Sequence, residues 1–262
     1  MYGIDLSGKV AVVASVANKW SIAWGIAQAL HSAGAKLILP YVGDRERGSI
    51  QKLTDLEGWG DDVVIPPEAC NVGEDDQIQG LFDFVKSEVG QLDCFAHCIA
   101  FAPREALQGA FMETSREAYQ IALDISAYSF VRMTRAAASL MTDGGAILTL
   151  TYMASEKVFR SYNVMGSAKA ALEHAVRQLA YELGPRNIRV NALSAGPIST
   201  VSARGVKGFT DFLQMYQDRA PLGRNITQEE IGKTGLFLLS DLSSGVTGEV
   251  LHVDGGYNIM GV

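Results

Sequence analysis

Short apolar stretches alternate with longer amphipathic ones along almost the whole chain. The short stretches are rich in β-branched residues and bounded by turn-forming ones, which predicts strands at residues 9–13, 36–39, 63–65, 94–99, 146–150, 189–193 and 250–253. The longer stretches repeat their apolar residues at the spacing of one helix face, which predicts helices at residues 22–33, 75–89, 116–140, 163–183 and 228–239. Four of these helices are expected to end in left-handed glycines, namely Gly34, Gly90, Gly144 and Gly184.

This alternation predicts a single α/β domain. A strand, a crossover helix and a parallel strand form a right-handed unit, and repeating the unit gives a parallel sheet with helices on both faces. We therefore expect a doubly wound, Rossmann-like fold over residues 1–262, because 48% of the residues are apolar and no linker-like stretch divides the chain. Such folds bind ligands at the carboxyl ends of their strands, where the functional residues are expected.

Composition narrows the classes of function. A formal net charge of −7 with no run of lysines and arginines argues against nucleic acid as a partner. No apolar stretch reaches the roughly 18 residues of a membrane span and no signal pattern opens the chain, so a cytoplasmic protein without a membrane partner is expected. The three cysteines form no CxxC pair, which fits a reducing compartment, and the histidines lack ligand spacing, so no metal is expected.

The first strand leads into the segment 15–25, SVANKWSIAWG, which lacks the GxGxxG pattern. A tight turn here would bring backbone amides and a helix N-terminus against a dinucleotide diphosphate, whereas the simpler interpretation is a helix capped by Ser21. Two alternatives stay open for Ser15. Its side chain crowds the cofactor, or, at a negative φ, its hydroxyl donates to a phosphate or ribose oxygen.

The second strand is followed by the segment 40–45, PYVGDR, where a dinucleotide's ribose diol or 2′-phosphate would be recognised. No basic residue stands at positions 42 and 43, and Asp44 is close by, which favours NADH. Arg45 and Arg47 keep NADPH open as the alternative.

Tyr162 and Lys169 are the strongest candidates for chemistry. Seven residues apart on a helix, they are separated by about 700°, within about 20° of one face, so both side chains can face one cleft. Taken alone, such a pair is more often a surface or packing pair than a catalytic one. The neighbours favour catalysis: Tyr152 ends a strand upstream, and Met165 stands four residues before Lys169, where a methionine cannot usefully transfer a proton.

The chain resembles the enoyl-acyl-carrier-protein reductases, a divergent branch of the short-chain dehydrogenase/reductases, along nearly its whole length. The resemblance is carried by Tyr152, Tyr162, Lys169 and the segments 97–103, 187–198 and 253–257. The ordinary short-chain reductases carry a tyrosine in place of Met165 and a serine in place of Tyr152, so reduction of a ketone is the less favoured alternative. The chain departs from the family pattern at Ser15, where glycine is usual, and at Asn71, where aspartate is more usual. Ser15 alone suggests a third alternative, a non-catalytic dinucleotide sensor.

The resemblance implies reduction of the trans-2 double bond of an enoyl thioester by NADH in fatty acid synthesis. It implies that hydride passes to the β-carbon, that Tyr162 hydrogen-bonds to the resulting enolate and that Lys169 binds the nicotinamide ribose. Tyr152 either assists the enolate or a proton relay, or lines the acyl pocket, where Ala102 is also expected. The other cofactor contacts are implied at Ser15, Ser21, Ile22, Val42, Asn71, Val72, Ile99, Ala100, Ile198, Ser199, Thr200, Val201 and Ser202.

The same resemblance implies two protein partners. One is an acyl carrier protein that carries the enoyl substrate, and the other is the chain itself, in a homotetramer whose helices 116–140 and 163–183 pack together. A lid over the acyl site is expected at about residues 199–213, where Arg204 and Lys207 are the basic residues for docking an acidic carrier.

Overall fold

The computed structural model describes residues 3–200 and 209–261, and these residues form one parallel sheet of seven strands. The strands are β1 Val10–Ala14, β2 Lys36–Ile38, β3 Val63–Val64, β4 Cys94–His97, β5 Gly145–Thr151, β6 Ile188–Ala195 and β7 Val250–Val253. They lie in the order β3-β2-β1-β4-β5-β6-β7, and every neighbouring pair is parallel. The seven predicted strands are confirmed, with small differences at their ends.

Helices cover both faces of the sheet. Within the described residues they are α1 Ile22–Ser32, α2 Asp44–Glu57, α3 Asp75–Val89, α4 Arg116–Leu123, α5 Ser129–Leu140, α6 Val164–Leu183, α7 Phe209–Arg219 and α8 Gln228–Leu239. Ala11 and Val13 of β1 belong to the core cluster of α1, α2 and α8, and Val12 and Ala14 belong to that of α3, α5 and α6. Because alternate residues of a strand face opposite ways, the two clusters lie on opposite faces, and the predicted doubly wound, Rossmann-like fold is confirmed.

The sequence pattern predicts neither α2 nor α7. Only Ile50 and Thr54 are buried in α2, so its apolar residues are too few to show a helical spacing. α7 begins within the segment 199–213 that the sequence assigns to a lid. The rest of that segment includes residues 201–208, which the structure does not describe, so Arg204 and Lys207 lie outside the described residues.

Three local details of the predicted helices are wrong. A π-helical turn at Asp124–Tyr128 separates α4 from α5, where one continuous helix is predicted over residues 116–140. Gly184 ends α6 in the right-handed conformation, with a φ of −52°, because the chain continues there into a 3₁₀ turn; Asn187 takes the left-handed position instead, with a φ of 56°. The glycines at 34 and 90 end α1 and α3 with positive φ, as predicted. Gly144 also has a positive φ but ends no helix, because α5 stops at Leu140 with Met141 as its C-cap.

The winding of the sheet reverses between β1 and β4, which opens a crevice at the carboxyl ends of the strands. Beside it, α1 and α8 pack closely because Gly25 has no side chain: a Cβ there would lie 2.8 Å from the backbone oxygen of Gln228. This contact holds the N-terminus of α1 against the crevice. Of the helices in the described residues, none combines the length and apolar character of a membrane span.

Candidate active site

The crevice contains a cleft of about 550 Å³. Most of the predicted site residues line it: Ser15, Ser21, Ile22, Ile99, Ala100, Ala102, Tyr152, Tyr162, Lys169, Ile198 and Thr200. The lining also includes Arg104, Leu107 and Phe159, which were not singled out from the sequence, and Phe212 of the predicted lid segment. The structure therefore brings the turn after β1 and the tyrosine and lysine pair to one site.

Three predicted cofactor residues lie away from this lining, namely Val42, Asn71 and Val72. Ser199 does not line the cleft itself, although its neighbours Ile198 and Thr200 do. Val201 and Ser202 fall outside the described residues. Val42 is 58% exposed after β2. Asn71 uses its Oδ1 to accept from the Gly73 amide over 3.1 Å in the turn before α3, and Val72 packs against the core. Because Val42 follows β2 and Asn71 and Val72 follow β3, these three residues lie toward the β3 edge of the sheet, away from Lys169. Their cofactor roles stay predictions.

The turn between β1 and α1 is fixed by its own hydrogen bonds. The Ser21 hydroxyl accepts from the Trp24 amide over 3.3 Å and donates to the Asn18 carbonyl over 2.7 Å. The Asn18 side chain in turn accepts from the Trp20 amide over 2.9 Å. The predicted cap at Ser21 is confirmed, and Ile22 in the first turn of α1 lines the cleft, where a helix N-terminus attracts a phosphate.

Ser15 has a φ of 71°, in the left-handed region that favours glycine. The alternative in which Ser15 adopts a negative φ is therefore wrong. A residue with a Cβ costs roughly 1–2 kcal/mol in this conformation. The serine hydroxymethyl group is exposed at the cleft, so it lies where a diphosphate would approach the turn.

Lys169 is only 4% exposed, and its Nζ donates to the Leu150 carbonyl at the end of β5 over 2.7 Å. Burial lowers the pKa of the Lys169 ammonium to about 8, although the nearby Cys98 and Glu173 act in the opposite direction. An ammonium carries three protons, so the bond to Leu150 leaves two for ribose hydroxyls in the cleft. Lys169 is thus a positioned donor that is charged below about pH 8.

Tyr162 lies just outside α6 rather than on it. The helix begins at Val164, and the two residues that flank Tyr162 have positive φ, 59° at Ser161 and 37° at Asn163. The helical-spacing argument is therefore wrong in its geometry, yet Tyr162 and Lys169 both line the cleft. Burial raises the pKa of the Tyr162 phenol above its ordinary value, so the phenol is protonated at neutral pH.

Tyr152 follows β5 and belongs to a group of aromatic rings at the cleft. Its ring centre lies 5.0 Å from that of Tyr162 and 4.9 Å from that of Phe159, and Phe159 in turn contacts Phe212 of α7 at 6.1 Å. Burial raises the pKa of Tyr152 as well. This residue combines an apolar ring, suited to an acyl chain, with a protonated hydroxyl.

Two other cleft residues are unsuited to proton transfer or nucleophilic attack. The Met165 thioether has no proton to give, and its sulfur lies 3.7 Å from the Ser126 hydroxyl. Burial raises the pKa of the Cys98 thiol to about 12, so it is not the thiolate that a nucleophile requires. The two tyrosines and the lysine are left as the chemically capable groups among those the sequence singled out.

Ser126 is a residue of this site that sequence reasoning missed. Its hydroxyl accepts from the Phe101 amide over 2.9 Å and donates to the Phe101 carbonyl over 3.0 Å, which fixes the segment next to Ala100 and Ala102. It belongs to the π-helical turn, a feature frequent at functional sites. The available signal was the pair of serines, Ser126 and Ser129, in the middle of a long apolar helix pattern.

Comparisons with known proteins agree with the family resemblance found in the sequence. A family model described as enoyl-(acyl carrier protein) reductase matches residues 16–258. The chain belongs to this enoyl reductase family. It is similar to the enoyl-[acyl-carrier-protein] reductase [NADH] of Bacillus cereus, at 51% identity over 98% of this chain and 99% of the relative. It is also similar to the enoyl-[acyl-carrier-protein] reductase [NADPH] of Staphylococcus aureus, at 47% identity over 97% and 98%.

Solved enoyl reductase structures share the fold. A crystal structure of the Bacillus cereus enoyl-acyl carrier protein reductase with NADP+ and indole naphthyridinone is 50% identical, covers 98% of this chain and 100% of that chain, and has a TM-score of 0.95. The reductase of Anaplasma phagocytophilum in complex with NAD is 40% identical, with 100% and 98% covered and a TM-score of 0.93. The family resemblance carried by the sequence motifs is thereby confirmed.

Proposed function

We propose that this chain reduces the trans-2 double bond of an enoyl thioester in fatty acid synthesis, with NADH as the hydride donor. The observation that carries the proposal is the joint lining of one cleft by Tyr152, Tyr162 and Lys169, with Met165 four residues before the lysine. A ketone reductase of the ordinary short-chain type has a proton-donating tyrosine at that position. The names of the Bacillus cereus and Staphylococcus aureus relatives support the same chemistry.

The cleft fits a nicotinamide dinucleotide. Its lining includes Ser15 and the N-terminus of α1, suited to a diphosphate, and Lys169, suited to a ribose. Bound NADH supplies the hydride from its nicotinamide ring. Lys169 holds the ribose of that ring with the two protons that Leu150 does not use, and its charge and position fix the ring's orientation.

NADH is the proposed preference because the region that would meet a 2′-phosphate is acidic. Asp44 and Glu46 both lie in the first turn of α2. The Arg47 guanidinium lies 5.5 Å from the centre of the Tyr41 ring, a cation–π contact. The two carboxylates repel a 2′-phosphate, and Arg47 would have to leave Tyr41 to bind one. NADPH is the alternative, since relatives of both kinds exist.

Tyr162 stabilises the charge that develops on the substrate. When hydride adds to the β-carbon, the electron pair of the double bond moves toward the carbonyl and leaves an enolate oxygen. A protonated phenol donates a hydrogen bond to that oxygen, and a donor preorganised in a buried site lowers the barrier. A proton from solvent then adds at the α-carbon and completes the reduction. The raised pKa of Tyr162 keeps it in the donating form throughout the neutral range.

A spectrophotometric assay tests this proposal. Oxidation of NADH and of NADPH is followed with crotonyl thioester and, separately, with a panel of ketones. We expect turnover with the enoyl thioester alone, and faster turnover with NADH. Reduction of ketones would support the ordinary short-chain activity, and cofactor binding without turnover of any substrate would support a dinucleotide sensor.

The proposed carrier of the substrate is an acyl carrier protein, in the cytoplasm. Acyl carrier proteins are acidic, and this chain has a formal net charge of −7, so docking requires local basic residues. Arg204 and Lys207 are the basic residues of the segment 199–213. Changing Arg204 and Lys207 together to Glu is expected to raise the KM for a carrier-bound enoyl substrate. The KM for a short coenzyme A thioester is expected to stay nearly unchanged. An equal rise for both substrates, or no dependence on salt, would contradict carrier docking at these residues.

The proposed assembly is a homotetramer, and the molecule has a surface that supports it. An open groove of about 660 Å³ runs between the α4–α5 region and α6, and its lining includes Ile121, Val131, Ala171 and Ala175. Covering this apolar groove with a second copy removes it from water. Light scattering on the purified protein is expected to give the mass of four chains, and Ala175→Arg is expected to reduce it.

A further inference from the structure

Tyr216 of α7 is one of the most deeply buried aromatic residues near the cleft, although it does not line the cleft itself. It is 2% exposed, and its ring stacks on that of Tyr257 with the ring centres 3.8 Å apart and the planes at 16°. Burial in water-free surroundings is costly for a hydroxyl unless it finds a partner. The partner is the cleft residue Tyr152, whose hydroxyl oxygen lies 3.3 Å from that of Tyr216.

The turn after β7 supports the stack. Gly196, which directly follows β6, lets the backbone at Asp254 approach closely: a Cβ on Gly196 would lie 3.1 Å from the Cα of Asp254, whereas its distance of 3.4 Å from Cε1 of Tyr216 would be an ordinary contact. The Asp254 carboxylate accepts from the amides of Gly256 and Asn258 over 2.9 and 2.8 Å, which fixes the turn that carries Tyr257. The stack is therefore held from the C-terminal side as well as by α7.

The hydrogen bond matters for what Tyr152 can donate. A tyrosine hydroxyl has one proton and can accept through its oxygen. When Tyr216 occupies the accepting side, the proton of Tyr152 is left for an acceptor in the cleft. Burial raises the pKa of both phenols, so each hydroxyl of the pair keeps its proton at neutral pH.

We propose that Tyr216 is a positioning residue for the reduction, because its hydroxyl orients Tyr152 so that Tyr152 donates to the substrate's thioester oxygen beside Tyr162. The inference rests on the proposed function. It selects one of the two roles that the sequence left open for Tyr152, assistance to the enolate rather than a purely apolar lining. It also links α7, which follows directly on residues 201–208, to the reacting end of the cleft.

The test is a double-mutant cycle of Tyr216→Phe and Tyr152→Phe, assayed for NADH-dependent reduction of crotonyl thioester. Phenylalanine keeps the ring that stacks on Tyr257 and removes only the hydroxyl. We expect Tyr216→Phe to lower kcat about fivefold, the scale of one hydrogen bond, with the NADH dissociation constant unchanged. In the Tyr152→Phe background, the same change is expected to have no further effect. Tyr119→Phe, a half-buried tyrosine of α4 that does not line the cleft, is the matched control.

Each outcome bears on a different claim. If wild type does not reduce the enoyl thioester, the proposed function fails. If wild type is active but Tyr216→Phe matches it, or Tyr152→Phe has full activity, the positioning role of Tyr216 is wrong. An equal loss from Tyr216→Phe in both backgrounds, with a lowered melting temperature, would assign Tyr216 a structural role independent of Tyr152 and would also overturn the inference.

Discussion

Among the strand-to-helix connections that line the cleft, two contain residues other than glycine at positive φ within the described residues. In the β1–α1 turn it is Ser15, and in the β5–α6 connection it is the pair Ser161 and Asn163 that flanks Tyr162. Such conformations cost free energy and persist where the surrounding structure enforces them, often at functional sites. The backbone is therefore strained at both connections.

The two connections offer different chemistry. The β1–α1 turn presents a helix N-terminus whose first turn is capped by Ser21, so its functional groups are backbone amides and a helix dipole. The β5–α6 connection presents a side chain, because the positive φ of the two residues that flank Tyr162 directs its phenol into the cleft. We expect substitutions in the first connection to change cofactor affinity and substitutions in the second to change turnover.

The largest expected effect separates these roles most clearly. Tyr162→Phe removes the donor to the enolate and is expected to lower kcat about 100-fold, the scale for loss of one oxyanion donor. The NADH dissociation constant, measured by fluorescence titration, is expected to stay within about twofold because the phenol serves the substrate. Tyr181→Phe, at a residue that is 81% exposed, is the control. Undiminished turnover in Tyr162→Phe would move the donor role to Tyr152.

Lys169 reaches the cleft with its side chain, as Tyr162 does, but its proposed ligand is the cofactor. Its substitution therefore tests whether a side chain in this part of the cleft changes cofactor affinity rather than turnover alone. Lys169→Ala removes a charge and the ribose donors, and is expected to raise the NADH dissociation constant about tenfold, the scale of a charged hydrogen bond. Direct titration measures it. No weakening of NADH binding would show that the lysine was assigned wrongly.

The same lysine predicts a dependence on pH. Because the pKa of Lys169 is lowered to about 8, the ammonium is present below that pH and is lost as pH rises through it. NADH affinity is therefore expected to be constant below about pH 8 and to fall above it. In Lys169→Arg, whose guanidinium stays charged, this fall is expected to disappear. A wild-type affinity that rises with pH would contradict the sign.

Ser15→Gly is expected to have the smallest effect. It tests the β1–α1 turn, whose functional groups are backbone amides. Glycine adopts the φ of 71° without a Cβ penalty and opens the approach to the turn, so NADH is expected to bind two- to fivefold more tightly. The entropy that glycine gains in the unfolded chain offsets part of any gain in stability. Titration against wild type measures the change, and weaker binding would indicate that the serine hydroxyl contacts the cofactor.

The sequence predicts much of this structure because hydrophobic patterning is strong where both faces of a strand are buried. It misses α2, where burial is confined to Ile50 and Thr54, since a mostly polar helix leaves little pattern. The sequence spacing correctly predicts that Tyr162 and Lys169 share one cleft, but it does so by placing both residues on one helix, and Tyr162 precedes that helix. The side-chain period of a helix does not reveal that positive φ at Ser161 and Asn163 delays its start.

The contacts that complete the site could not be read from the chain. The bond between Tyr216 and Tyr152 joins residues 64 positions apart, and the helix that carries Tyr216 is not predicted at all. Ser126 bonds to Phe101 across 25 positions because a π-helical turn faces it inward. Such contacts depend on tertiary packing, whereas the family motifs depend on local sequence. For this reason the sequence identifies Tyr152, Tyr162 and Lys169 but not Ser126 and Tyr216, which contact the site from distant parts of the chain.

The central claim is that the cleft delivers hydride to the β-carbon of an enoyl thioester while a tyrosine holds the enolate oxygen. NADH that carries deuterium at both C4 positions, incubated with crotonyl thioester and the purified protein, tests it most directly. Mass and NMR analysis of the product is expected to show a butyryl thioester with one deuterium at C3 and a solvent proton at C2. Deuterium at C2 or at the carbonyl carbon would contradict the account.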